Sequence, residues 1–239
     1  MAVGGRMKEE LLQLIAEGRA KEAADLLPFI DDVPPKRPGQ WTAKDQLAHL
    51  VAWRQTSIEE LDAVQSGRPG PKKGDDDQVE NAKIYARTHN QPAAQVVEES
   101  RVAWDRLTAA TEACTEEDLH RARSRFPEQE LWQAIPSSSY YHLADHLTYW
   151  HEDEGHEKAA EAAAKWGHDL AVTAFPDSSE RGVVDYNLGC FYAKRGRAAE
   201  AIPLLRSGLE RRPDLREWAK QDPDLDPVRT NPELEKLMA

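Results

Sequence analysis

Apolar residues recur every three or four positions through long stretches of this chain, and clusters of proline and glycine separate those stretches. That rhythm belongs to helices. Leu12, Ile15, Ala16, Ala20, Ala23 and Leu27 keep it through KEELLQLIAEGRAKEAADLLPFI. Gly18 inside this run leaves open whether it is one helix or two. Runs of Val, Ile and Thr, which strands favour, are nearly missing, and Ala, Leu, Glu, Lys and Arg dominate. The expected class is all-α.

The breaks place the elements. DDVPPKRPGQ ends the first helix, and Thr42 with Asp45 three positions later marks the start of the second, TAKDQLAHLVAWRQTSIEELDAVQSG. RPGPKKGDDDQ reads as an exposed loop and VENAKIYART as a short helix or turn. Pro92 opens a third long helix, AAQVVEESRVAWDRLTAATEA. Thr115 followed by two glutamates suggests a cap and a brief helical turn, and the stretch from Leu119 to Pro136 is irregular. The serines at 137–139 offer N-caps for a fourth helix, SYYHLADHLTYWHEDEGHEKAAEAAAKW, which Gly155 either ends or merely weakens. Four long helices with short connections suggest a bundle over residues 1–176. After Asp177–Gly182 the pattern changes to two shorter helices and a proline-punctuated tail, a second module over 177–239.

The net charge of −12 argues against nucleic acid and against anionic membrane surfaces as partners. No apolar run approaches the roughly 20 residues that span a bilayer. MAVGGRMKEELLQ lacks the apolar core of a signal peptide, so a cytoplasmic location is expected. Cys114 and Cys190 belong to no CxxC pair and read as spectator thiols.

Chemistry is concentrated in YYHLADHLTYW. His142 and His146, four residues apart on a helix, bring both imidazoles within reach of one ion. Leu143, Leu147 and Trp150 form the apolar stripe beside them, while Tyr149 and Asp153 fall on the His142 side, where they can orient an imidazole. A catalytic metal typically takes about three protein ligands. His49, one turn before Trp53 and outside the stripe of Leu47, Leu50, Ile58 and Leu61, is the third candidate; its offset equally suits a surface residue. Histidines at this spacing also mark plain amphipathic surfaces. His89, His120, His151, His156 and His168 read as solvated or structural, and Trp41, Trp53, Trp104 and Trp150 as core aromatics.

WTAKDQLAHLVAW resembles the signature of the DinB/YfiT-like superfamily, in which a tryptophan begins a helix carrying one metal-ligand histidine. HLADH resembles the family's second element, a ligand pair four apart on the fourth helix. The resemblance covers roughly residues 8–157. It implies a DinB-like four-helix bundle with His49, His142 and His146 as ligands of a divalent metal (zinc, nickel, iron or manganese). It further implies a small-molecule substrate and, in some members, a low-molecular-weight thiol. The reactions it implies are metal-dependent hydrolysis and thiol-dependent S-transfer.

Gly189, Tyr192, Ala201, Leu205, Gly208 and Pro213 resemble the small, aromatic and terminal-proline positions of one tetratricopeptide repeat (TPR) spanning 182–213, with Gly208 in place of the usual alanine. A single repeat cannot bury its own face. The module is therefore expected to pack on the bundle, or to serve a protein partner or a homodimer. Two alternatives to an enzyme follow: a non-catalytic scaffold that recruits partners through this module, and a protein that sequesters a reactive small molecule.

Overall fold

The computed structural model describes residues 6–74, 76–176 and 179–238. Their regular structure is helical, apart from one isolated bridge between Ala122 and Glu130. The chain forms two compact units, residues 1–155 and 156–239.

In the first unit α1 spans Arg6–Asp25, α2 Ala43–Ser66, α3 Asp77–Thr88, α4 Ala93–Ala113, α5 Glu116–Leu119, α6 Ala134–Ser138 and α7 Tyr141–Asp153. Local chemistry sets these ends. Thr42 and Asp45 form a capping box: the Thr42 hydroxyl accepts the Asp45 N–H at 3.2 Å, and the Asp45 carboxylate accepts the Thr42 N–H at 2.9 Å. Gly67 closes α2 at φ +63°, and Thr115 with Asp118 repeats the box at α5. The irregular stretch is held by the 122–130 bridge and a 3-10 turn over Leu131–Gln133. The fourth long helix therefore begins at Tyr141, after the short α6, and not at the serines 137–139.

The core joins Leu11, Leu14 and Ile15 of α1 to Leu47, Ile58 and Leu61 of α2, Trp104 and Leu107 of α4, and Leu143, Leu147 and Trp150 of α7. α1 runs unbroken through Gly18. A Cβ there would lie 2.9 Å from the Trp104 ring and 3.1 Å from the Ser139 backbone, so the glycine lets α4 and the 139 turn approach. A charged cluster crosses the same core. Arg54, fully buried, donates to Glu22 at 3.0 Å, to Ser100 at 3.3 Å and to the Ser138 carbonyl at 3.2 Å. Its guanidinium lies 3.6 Å over the Trp104 ring. The other Glu22 oxygen accepts from Ser100 at 2.5 Å and from Trp104 Nε1 at 2.8 Å. Every charge in the cluster is matched, the condition under which buried ions are tolerated.

α7 stops at Asp153, and Gly155 at φ +76° separates it from α8, Glu157–Ala174. α8 packs against α9, Ser179–Ala193. The contacts consequently divide the chain at Gly155, whereas the sequence pattern suggested a division at 176/177. The second unit continues with α10, Ala198–Arg211, α11, Arg216–Ala219, and α12, Pro232–Met238. α9 and α10 form a close hairpin. A Cβ on Gly189 would meet the Leu205 side chain at 2.8 Å, and one on Gly208 would meet the Tyr186 backbone at 2.9 Å. Leu188, Phe191, Leu205, Leu209, Leu225 and Leu234 fill its core.

His168 Nε2 bonds Asp185 at 2.8 Å, and Asp185 also accepts from Ser207 at 2.5 Å. Against the opposing effect of burial, Asp185 raises the His168 pKa; His168 and Ser207 likewise hold Asp185 below the usual carboxylate range against burial. A raised histidine stabilises below its unfolded pKa and loses that contribution as pH rises through the folded one; a lowered aspartate loses its share as pH falls through its own. Thermal unfolding followed from pH 6 to pH 9 should show the midpoint fall as His168 loses its proton. His168→Ala should flatten that slope. No helix among the described residues is long and apolar enough to cross a membrane.

Candidate metal centre

His49 lies two turns into α2 and is 3 % exposed, so it is no surface residue. α7 packs on α2 and brings His142, from its first turn, and His146, one turn later, to meet it. His142 Nε2 is 3.2 Å from His49 Nε2 and 2.9 Å from His146 Nε2. One ligand atom from each histidine lies within 4.8 Å of the others, and together the three can hold a metal ion. Two nitrogens bound tetrahedrally at about 2.0–2.1 Å from one zinc would stand about 3.4 Å apart.

Hydrogen counting supports a cation there. His146 Nδ1 donates to Gln46 Oε1, which leaves its Nε2 as a bare lone pair. Burial and the neighbouring imidazoles keep all three rings neutral. Burial lowers His49 to about 4; burial and then His49 lower His146 to about 3; and burial, His146, His49 and Arg54 hold His142 well below the ordinary range. A neutral trio avoids facing lone pairs in only one way, with a single hydrogen on His142 Nε2 shared by two acceptors. A divalent cation removes that conflict. His49 Nδ1, buried and without a partner among the described residues, is consistent with a ring placed for its Nε2.

Aromatic rings surround the set. Trp41, just before the α2 cap, lies 5.2 Å from His49 and stacks on His146 at 6.3 Å. Tyr85 of α3 stacks on Trp41 at 5.6 Å and on His89 at 5.0 Å. Trp53 stands edge-on to His49 at 6.3 Å. Trp104 and Trp150 are core residues as expected, but Trp41 and Trp53 are only half-buried and flank the histidines.

Of the two residues expected to orient an imidazole, Tyr149 stands edge-on to His146 at 6.3 Å and is 54 % exposed. Asp153 pairs instead with Arg37 at 2.8 Å. Gln46 orients His146, and sequence reasoning missed it; its position three residues before His49 on one helix face was the available signal. Asp145 was missed too. It is half-buried, and burial pushes its carboxyl up to about 7. Burial also raises both thiols: Cys114 accepts from Gln65 at 3.4 Å, and Cys190 donates to Asp222 at 3.6 Å. His120 bonds Glu130, and His151 is buried beside Trp150.

No protein-family model matches the chain, and no curated protein or solved structure matches it.

Proposed function

We propose that the first unit is a DinB-like, metal-dependent four-helix bundle that acts on a small molecule, as a hydrolase or as a thiol-dependent transferase. The observation that carries this reading is the convergence of His49, His142 and His146 through neutral nitrogens, with His146 fixed by Gln46. Three ligands leave a coordination position open, and an ion there supplies Lewis acidity toward a carbonyl, a water or a thiol.

The protein's own residues do the rest. Gln46 sets the tautomer of His146. Trp41, Tyr85 and Trp53 give a substrate flat apolar surfaces beside the histidines. Both cysteines are buried with raised pKa values, so the nucleophile in this reading comes from water or an external thiol. The second unit fits a TPR-like hairpin with a cap, supported by the closeness of Gly189 to Leu205 and of Gly208 to Tyr186.

The test is a titration of chelator-treated protein with zinc, nickel, iron(II) and manganese, read by calorimetry and elemental analysis. One equivalent of at least one ion should bind with a micromolar or tighter Kd. Binding of none would overturn the metal reading and leave the scaffold alternative in its place.

A further inference from the structure

α3 lies along α2 and carries three side chains at four-residue intervals on one face: Asp77, Asn81 and Tyr85. Each meets a different neighbour. Tyr85 stacks on Trp41, beside His49 and His146. Asn81 accepts from Trp53 Nε1 at 3.0 Å and so fixes that indole. Asp77 faces Arg125, whose guanidinium lies 4.7 Å over the Trp53 ring and 5.3 Å over Phe126. Read along α3, the order is histidine set, then Trp53, then Arg125. Two turns of helix separate Tyr85 from Asp77, a rise of about 12 Å. A single indole bridges the guanidinium and the His49 ring.

Arg125 is 9 % exposed, yet among the described residues its guanidinium makes no hydrogen bond. Its backbone N–H donates to the Glu60 carboxylate at 3.0 Å, which also accepts from Arg123, at 2.7 and 3.2 Å, and from Ser124. Glu80, also in the neighbourhood, is held by Lys83 at 2.6 Å. Among the described residues the nearest ion partner of Arg125 is Asp77 at 3.9 Å, an exposed carboxylate beyond hydrogen-bonding range. A planar, always-charged fork that lies over an indole and makes no hydrogen bond among the described residues suits a carboxylate that binds through both oxygens.

We propose that Arg125 is an anion-recognition residue: the substrate is an elongated carboxylate that lies along Trp53, with its reacting end at the histidine set and its carboxylate on Arg125. The proposal names the substrate class of the metal-dependent reading and rests on that reading for the reacting end alone. Asp77 occupies the anion position loosely and yields it to the ligand.

Calorimetry of metal-free protein with benzoate and with benzamide tests it, since the two probes share a ring and differ in charge. Wild type should bind benzoate at least about tenfold tighter than benzamide. Arg125→Gln should abolish that preference, and Arg125→Lys should keep only part of it. Asp77→Asn, at an exposed helix start that leaves the core untouched, should tighten benzoate binding a few-fold. Equal binding of the two probes by wild type, a preference that survives in Arg125→Gln, or unchanged benzoate binding in Asp77→Asn would each overturn the proposal. Zinc affinity of Arg125→Gln should stay within about twofold of wild type. Failure of wild type to bind zinc or the other ions defeats the metal reading alone, because the benzoate measurements involve no metal.

Discussion

Glu22→Ala should lower the unfolding free energy of the first unit by about 3–5 kcal/mol, the usual effect of leaving a buried charge without its partner. Arg54 has no exposure through which to reach water, and burial already presses its pKa down while Glu22 holds it up. The substitution also strips an acceptor from Ser100 and from Trp104 Nε1. Relief of those donors by an invading water would give the low end of the range. Glu22→Gln keeps the shape and an acceptor, so it should fall between wild type and alanine. The double variant Glu22→Leu with Arg54→Met should recover most of the loss, because apolar replacement of both partners removes the uncompensated charge. Urea unfolding measures all four proteins. Alanine and wild-type midpoints that coincide would show that the cluster contributes nothing.

His142→Ala should weaken metal binding by about a hundredfold or more. Roughly 10–16 kcal/mol of binding free energy, shared among the ligands of a four-ligand zinc site, assigns about 3 kcal/mol to each. His142 is the central member: its Nε2 makes both short contacts, and without it the remaining pair lacks the bridging nitrogen. Metal at 100 times its Kd should stabilise wild type by about 2.7 kcal/mol, and the same concentration should leave the variant unmoved. Without metal the variant should unfold more easily than metal-free wild type, since it loses the hydrogen that His49 and His146 share, so each protein's metal response is read against its own metal-free midpoint. A variant that still takes up one equivalent at wild-type affinity would rule out this site.

Much of this architecture could be read from local spacing, because local spacing causes it. The capping box of Thr42 and Asp45, the opening of α4 after Pro92 and the juxtaposition of His142 with His146 all follow from residues within a turn of one another. The gathering of His49 with that pair was suggested by its tryptophan-led helix, and it depends on how α7 packs on α2. What escaped the sequence was tertiary. Gly18 left open whether the first run is one helix or two because a glycine costs helix stability, yet contact with Trp104 and Ser139 demands its lack of a side chain. Asp153 shared a face with His142, but Arg37, more than a hundred residues away in sequence, engages its carboxylate. The sequence did not single out Arg54 and Glu22, because nothing within four positions of either discloses a partner inside the core. Periodicity left open whether Gly155 ends the fourth helix or only weakens it, because it does not encode the positive φ that breaks the helix there.

The Arg54 cluster has a consequence beyond folding. After burial, His146 and His49, its guanidinium also disfavours protonation of His142, and a field that repels a proton from that ring repels an incoming dication as well. Glu22 is thus an internal counterion, screening the candidate metal site from the molecule's own buried cation. Core integrity and ion occupancy are in this sense two readings of one electrostatic balance, and by reciprocity an ion held between α2 and α7 presses back on the Arg54–Glu22 pair.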